Sequence, residues 1–141
     1  AGTMECWNAG HDPLLVLRAN GQLESVNPDG MILGVVRGVL FPSITVPLEP
    51  GDTALLFTDG LPESMDPVRN LFGEHRIERV LRETQGQPAQ AVLEALLAAA
   101  RRFAAGTPQH DDTTLIVLRA TGTPRAAGPA VPTLQTQESR A

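Results

Sequence analysis

The stretch Thr53-Ala54-Leu55-Leu56-Phe57-Thr58-Asp59-Gly60 decides how this chain is read. Thr53 to Thr58 is nearly all apolar, the composition of a strand buried on both faces, and it follows the tight turn Pro50-Gly51-Asp52. At its C-terminal end an acid stands next to a glycine. The carboxylate of Asp59 should therefore project from a rigid sheet edge, and Gly60 should let the backbone turn without a Cβ clash. Two readings are open for Asp59: a metal ligand, or a turn aspartate that caps its own backbone.

Further along, Thr114 to Arg119 (Thr-Leu-Ile-Val-Leu-Arg) reads as another apolar strand, entered directly from Asp111-Asp112. Adjacent carboxylates repel each other unless a cation, a hydrogen-bond network or solvent compensates. They are either a cation site or a pair of solvated loop acids. If the two strands pair in one sheet, Asp59 and Asp111 converge, and hard carboxylate oxygens without thiolates suit Mg²⁺ or Mn²⁺. Two such ions can position a water for attack on a phosphoryl group.

Between these strands, residues 61–74 carry Pro62, Pro67 and Gly73 and read as a loop. Helical spacing resumes over His75 to Thr84 through Ile77, Val80 and Leu81. A second amphipathic helix is expected over Ala89 to Phe103, with Val92, Leu93, Leu96, Leu97, Ala100 and Phe103 on one stripe. Phe72 is expected as a core anchor. Arg76 is open to a phosphate or to solvent. Arg101-Arg102 suit the negative end of the second helix dipole.

Upstream, strands are expected over Met4 to Asn8, Leu14 to Arg18, Gln22 to Val26 and Ile44 to Leu48. Asn20-Gly21 is the strongest hairpin signal, since both residues tolerate positive φ. From Asn27 to Gly38, glycines at 30, 34 and 38 interrupt an apolar run, which suggests a loop and short strand approaching another backbone closely. Strands, then helices, then a strand make an α+β layered sandwich. Residues 121–141 turn to Gly, Pro, Thr, Ala and Gln and read as a disordered tail or linker.

Composition narrows the function. The 141 residues, 42% of them hydrophobic, suit one domain with a single core. A net charge of −5, no lysine at all and no arginine cluster exclude recognition of nucleic-acid phosphates or an anionic membrane. Cys6 is the sole cysteine, which rules out an intrachain disulfide and a cysteine zinc cluster, fits a reducing cytoplasm, and suggests a small buried hydrophobe. No run reaches the roughly 20 apolar residues of a membrane helix. The opening Ala1-Gly2-Thr3 leads at once into a strand, as in a chain entered partway through a domain. Of the three histidines, His11 reads as a hydrogen-bonding turn residue or a residue near a metal, His75 as surface, and His110 as an exposed or supporting neighbour of the aspartate pair.

Four motifs stand in order: Asn8-Ala9-Gly10-His11; Pro50-Gly51-Asp52 with Phe57-Thr58-Asp59-Gly60; Leu71-Phe72-Gly73; and Asp111-Asp112-Thr113-Thr114. From about Met4 to Ala120 this order resembles the SpoIIE/RsbU-like branch of the PPM (type 2C) protein phosphatases, specifically the C-terminal half of that domain. The resemblance implies a β-sandwich flanked by helices. It also implies two Mn²⁺ or Mg²⁺ ions in the complete domain, and hydrolysis of phosphoserine or phosphothreonine, often on an anti-sigma-factor antagonist. On that pattern Asp59 and Asp111 match metal-binding aspartates, Asp112 either a residue that supports the ligands or an auxiliary ligand, and His11 an extra metal-site position.

Two local departures are Asp12, where the family usually has proline, and Pro62-Glu63-Ser64 after the Thr-Asp-Gly motif. The upstream metal-binding aspartates of the family have no counterpart in the 141 residues. The expectation is thus a phosphatase segment with little activity alone. The alternatives are a degenerate phosphatase-like module that binds a regulatory partner, and a structural domain with accidental motifs.

Overall fold

In a computed structural model, which describes residues 2–109 and 111–122, six strands and two helices form an α+β arrangement. The elements are β1 (Gly2–Trp7), β2 (Leu14–Leu17), β3 (Leu23–Val26), β4 (Ser43–Leu48), β5 (Thr53–Phe57), α1 (Glu74–Glu83), α2 (Ala89–Ala104) and β6 (Leu115–Arg119). The expected tail from residue 123 onward and His110 lie outside the described residues.

Two antiparallel sheets result: a four-stranded one in the order β3-β2-β5-β6 and a two-stranded one of β1 and β4. Alternation along the central strands builds two cores. Leu15, Leu17, Leu55 and Phe57 pack with Ile77 and Leu81 of α1, Val92 and Leu96 of α2, and Phe72. Leu14, Val16 and Ala54 point the other way and pack with Val46 of β4. β2 and β5 are thus apolar at nearly every position because both of their faces are covered, helices on one side and the smaller sheet on the other. Each such side chain contributes roughly 1.5–3 kcal/mol when fully buried.

Several expectations change in detail. The β2–β3 connection keeps only Gly21 at positive φ, 88°, with the Arg18 amide donating to Gln22 O and the Gly21 amide to Arg18 O. Asn20 instead uses its side chain, whose Oδ1 accepts the Gln22 amide at 2.9 Å, so it never needs the left-handed region. The short strand expected within 27–38 does not form. That run is turns and irregular backbone with Met31, Ile32, Leu33, Val35 and Val36 exposed, so no sheet edge or core receives its apolar side chains. Of its three glycines, Gly30 alone meets another backbone, where a Cβ would stand 1.8 Å from Asn8 O.

The 61–73 loop is more ordered than its prolines suggest. Met65 and Leu71 form an isolated antiparallel bridge, and Asp66 closes the turn between them by accepting the Val68 and Asn70 amides and the Asn70 side chain. Those bonds, the Asn70 side chain foremost, hold the Asp66 carboxyl below the usual range. No helix among the described residues is long and apolar enough to cross a membrane.

Candidate functional site

Pairing of β5 with β6 positions the site. Phe57 lies opposite Leu115, and the ladder continues past the strands through the Thr58 amide, which donates to Thr114 O at 3.1 Å. The Thr58 side chain then stitches the edge: its hydroxyl donates to Asp112 O at 3.1 Å and accepts the Thr114 amide at 3.0 Å. Asp59 on one strand end and Asp111-Asp112 on the other are therefore brought to the same edge of the four-stranded sheet.

Gly60 is what permits the approach, for a reason other than the expected one. Its φ is not positive; instead a Cβ there would stand 2.4 Å from Asp112 O and 2.9 Å from its carbonyl carbon. No side chain fits between the two segments. The three aspartates are exposed, and among the described residues both salt bridges belong to Arg18, so no arginine engages them. Asp111 Oδ1 accepts the Asp112 amide at 2.7 Å, which fixes the orientation of that carboxylate.

The donor chemistry fits Mg²⁺ or Mn²⁺, since every candidate ligand is a hard carboxylate oxygen. The donor number is small: among the described residues no group of three or more His, Cys, Asp or Glu is arranged to hold an ion. Asp59, Asp111 and Asp112 would thus supply part of a coordination shell. A cleft of about 340 Å³ opens beside them, lined by Gly60, Glu63, Asp111, Thr113 and the C-terminal half of α2.

Other sequence candidates fall elsewhere. His11 lines a separate cleft of about 420 Å³ against β1, with its Nδ1 3.0 Å from Asp12 O, and the Asn8 side chain brackets its backbone. His75 is exposed at the start of α1. Arg76 is committed to structure: its Nη1 donates to Leu71 O and Phe72 O, and its guanidinium lies 4.3 Å over the Phe103 ring. Cys6 is half-buried, and burial pushes its thiol up, which disfavours the thiolate.

One residue was legible only as a turn former. Asp52 is 2% exposed, and its carboxylate accepts the amides of Ala19 (2.8 Å) and Glu49 (3.0 Å) and Arg18 Nη1 (2.9 Å). Burial pushes this carboxyl up, but the Glu49 amide, Arg18 and the Ala19 amide together outweigh it and leave it below the usual range. Arg18 also bonds Glu24 of β3 and Pro47 O of β4, so the Asp52–Arg18 pair ties the β2–β3 and β4–β5 turns together. The paired signal was a lone arginine at the end of β2 and an aspartate preceding β5.

The sequence model of the family described as Stage II sporulation protein E (SpoIIE) matches residues 1–121. The chain belongs to the SpoIIE family. Its fold is that of the family's phosphatase domains. The SiaA-PP2C domain of Pseudomonas aeruginosa superposes with a TM-score of 0.64 at 28% identity, covering 76% of this chain and 42% of that one. The phosphatase domain of the cell fate determinant SpoIIE from Bacillus subtilis, presoaked with manganese, gives 0.65 at 17% identity over 89% of this chain and 54% of that one. Protein IcfG from Synechocystis is 24% identical over 117 residues, 83% of this chain and 18% of that protein. The chain thus spans about half or less of the length of these relatives.

Proposed function

We propose that this SpoIIE-family chain contributes Asp59 and Asp111, with Asp112 in support, to the divalent-metal centre of a phosphoserine/phosphothreonine protein phosphatase. The phosphoprotein substrate is an element of bacterial signalling such as an anti-sigma-factor antagonist. The observation that carries the reading is the contact of Gly60 with the Asp112 carbonyl, which leaves two acid-bearing strand ends side by side with no room for a side chain between them. Strand ends that each carry an acid and are held together by a backbone contact are an arrangement that a shared divalent cation can use, because hard carboxylate oxygens are its preferred ligands.

In this reading Asp59 and Asp111 hold Mn²⁺ or Mg²⁺, the Asp112 amide orients Asp111, and the Thr58 hydroxyl keeps both strand ends in register. Bound divalent ions supply a lowered water pKa and charge neutralisation at a phosphoryl group. The remaining ligands come from outside these 141 residues, in keeping with the 42–54% coverage of the phosphatase-domain neighbours.

Calorimetric titration of Mn²⁺ into the full-length protein, with and without Asp59→Ala plus Asp111→Ala, tests this. Binding that the double variant abolishes, together with hydrolysis of a phosphoserine peptide that disappears with it, is the expected result. Equal and poor binding by both proteins would reduce the aspartates to turn residues and leave a partner-binding module.

A further inference from the structure

The cleft beside Asp111 has features that metal binding does not use. Leu97 and Ala100 of α2 give it an apolar lining, and Gly60 and Asp111 line it as well. At about 340 Å³ it lies near the lower end of ligand-cavity volumes and suits one or two side chains rather than a folded surface.

Two of its polar side chains are already engaged: the Ser64 hydroxyl donates to Gly60 O at 3.0 Å, and the Gln109 amide donates to Asp111 O and Thr113 Oγ1. Arg101 differs. It is the one cation lining the cleft, and among the described residues no salt bridge or side-chain hydrogen bond engages it. The helix dipole accounts equally for Arg101 and Arg102, yet only Arg101 lines the cleft.

We propose that this cleft is a peptide subsite in which Arg101 recognises an acidic side chain close in sequence to the phosphorylated residue. The assignment rests on the phosphatase reading for the source of the peptide. The chemistry is that of an arginine fork, which pairs a carboxylate in two parallel hydrogen bonds, beside apolar lining residues that accept an adjacent aliphatic side chain. Continuity with the aspartate edge supplies the geometry: Asp111 belongs both to that edge and to the cleft lining, so a phosphoresidue held there has its flanking chain beside the cleft. Glu63 and Asp111 on the walls repel an acid placed elsewhere in the cleft, so Arg101 also fixes which way the peptide runs.

The experiment uses the full-length protein, its Arg101→Glu and Arg101→Lys variants, and two phosphoserine peptides that carry either Glu or Arg at the flanking positions. Peptide binding is read by fluorescence anisotropy in Mn²⁺ with non-hydrolysable phosphonate analogues of the two peptides, and turnover is read on both phosphoserine peptides and on p-nitrophenyl phosphate. The expected result is preference for the Glu peptide, a several-fold rise in its Kd and KM with Arg101→Glu at constant kcat, a reversed preference in that variant, and a partial loss of preference with Arg101→Lys, whose ammonium keeps the charge but cannot form the two parallel hydrogen bonds. The small phosphate, which has no flanking chain, should keep its kcat/KM. Equal binding of both peptides by wild type and Arg101→Glu would overturn the subsite. A matching loss on p-nitrophenyl phosphate would also overturn it, placing Arg101 on the phosphate itself. If no substrate is turned over while anisotropy still shows the charge preference, the catalytic reading fails and the subsite stands.

Discussion

Gly60 and Asp52 show how much a single position controls here. A methyl group at residue 60 would have to push the Asp112 carbonyl away by more than half an ångström, since its unrelaxed distance is 2.4 Å. Gly60→Ala should therefore cost about 1–3 kcal/mol, the usual range for overpacking, and should lower Mn²⁺ affinity in the full-length protein by parting Asp59 from Asp111. A thermal melt and a manganese titration on the same sample check both. Asp52 makes a pH prediction. Its folded carboxyl titrates below its unfolded value, so its contribution is fully present above the unfolded pKa of about 4 and is lost as pH falls through the lower folded value. Asp52→Ala leaves two amides and Arg18 without their acceptor and should cost roughly 3 kcal/mol at neutral pH. Urea unfolding of wild type and variant at neutral pH and again near pH 3 should show the gap narrowing in acid; a pH-independent gap would refute the charged role.

At the scale of elements, the strands and helices were legible wherever the apolar period was strong. The run Thr53–Phe57 and the stripe through Val92 and Leu96 each left one arrangement that buries them. Legibility failed where burial does not decide the backbone. The 27–38 segment has strand-like composition but no partner in the described residues, and the 61–73 loop is ordered by Asp66 and by backbone bonds that no hydrophobic pattern encodes. The aspartate edge lay between these cases. Its residues were visible in the sequence, whereas the Gly60 contact and the cleft under α2 required the register of β5 on β6. Arg76 is an element-scale device of the same kind, fastening the start of α1 to the end of α2 through Phe103, which also meets Phe72 edge-on at 5.5 Å. Arg76→Ala should cost about 1–2 kcal/mol from lost hydrogen bonds and cation–π attraction. Hydrogen exchange should show α1 opening before the strands do.

On the scale of the whole molecule, the two cores are unequally covered. The helix side of the four-stranded sheet is covered by α1 and α2, while on the opposite face Ile116 and Leu118 of β6 remain 51% and 43% exposed, as does Ile44 of β4 at 41%. The two-stranded sheet covers Val16 and Ala54 but does not extend over β6. The same shortage would appear in the proposed metal chemistry, since among the described residues no group of three or more His, Cys, Asp or Glu is arranged to hold an ion. A Mg²⁺ site demands near-octahedral coordination, and Asp59 with Asp111 cannot provide it unaided. Both deficits lead to one prediction: the 141-residue chain on its own should bind Mn²⁺ weakly, show little or no phosphatase activity, and self-associate through its exposed strand face. Replacing Ile116 and Leu118 with threonine should shift the isolated chain toward monomer in sedimentation without restoring activity, because solubility and coordination are separate shortages. Strong turnover by the isolated chain would show that its own carboxylates suffice, and would move the catalytic centre entirely within residues 2–122.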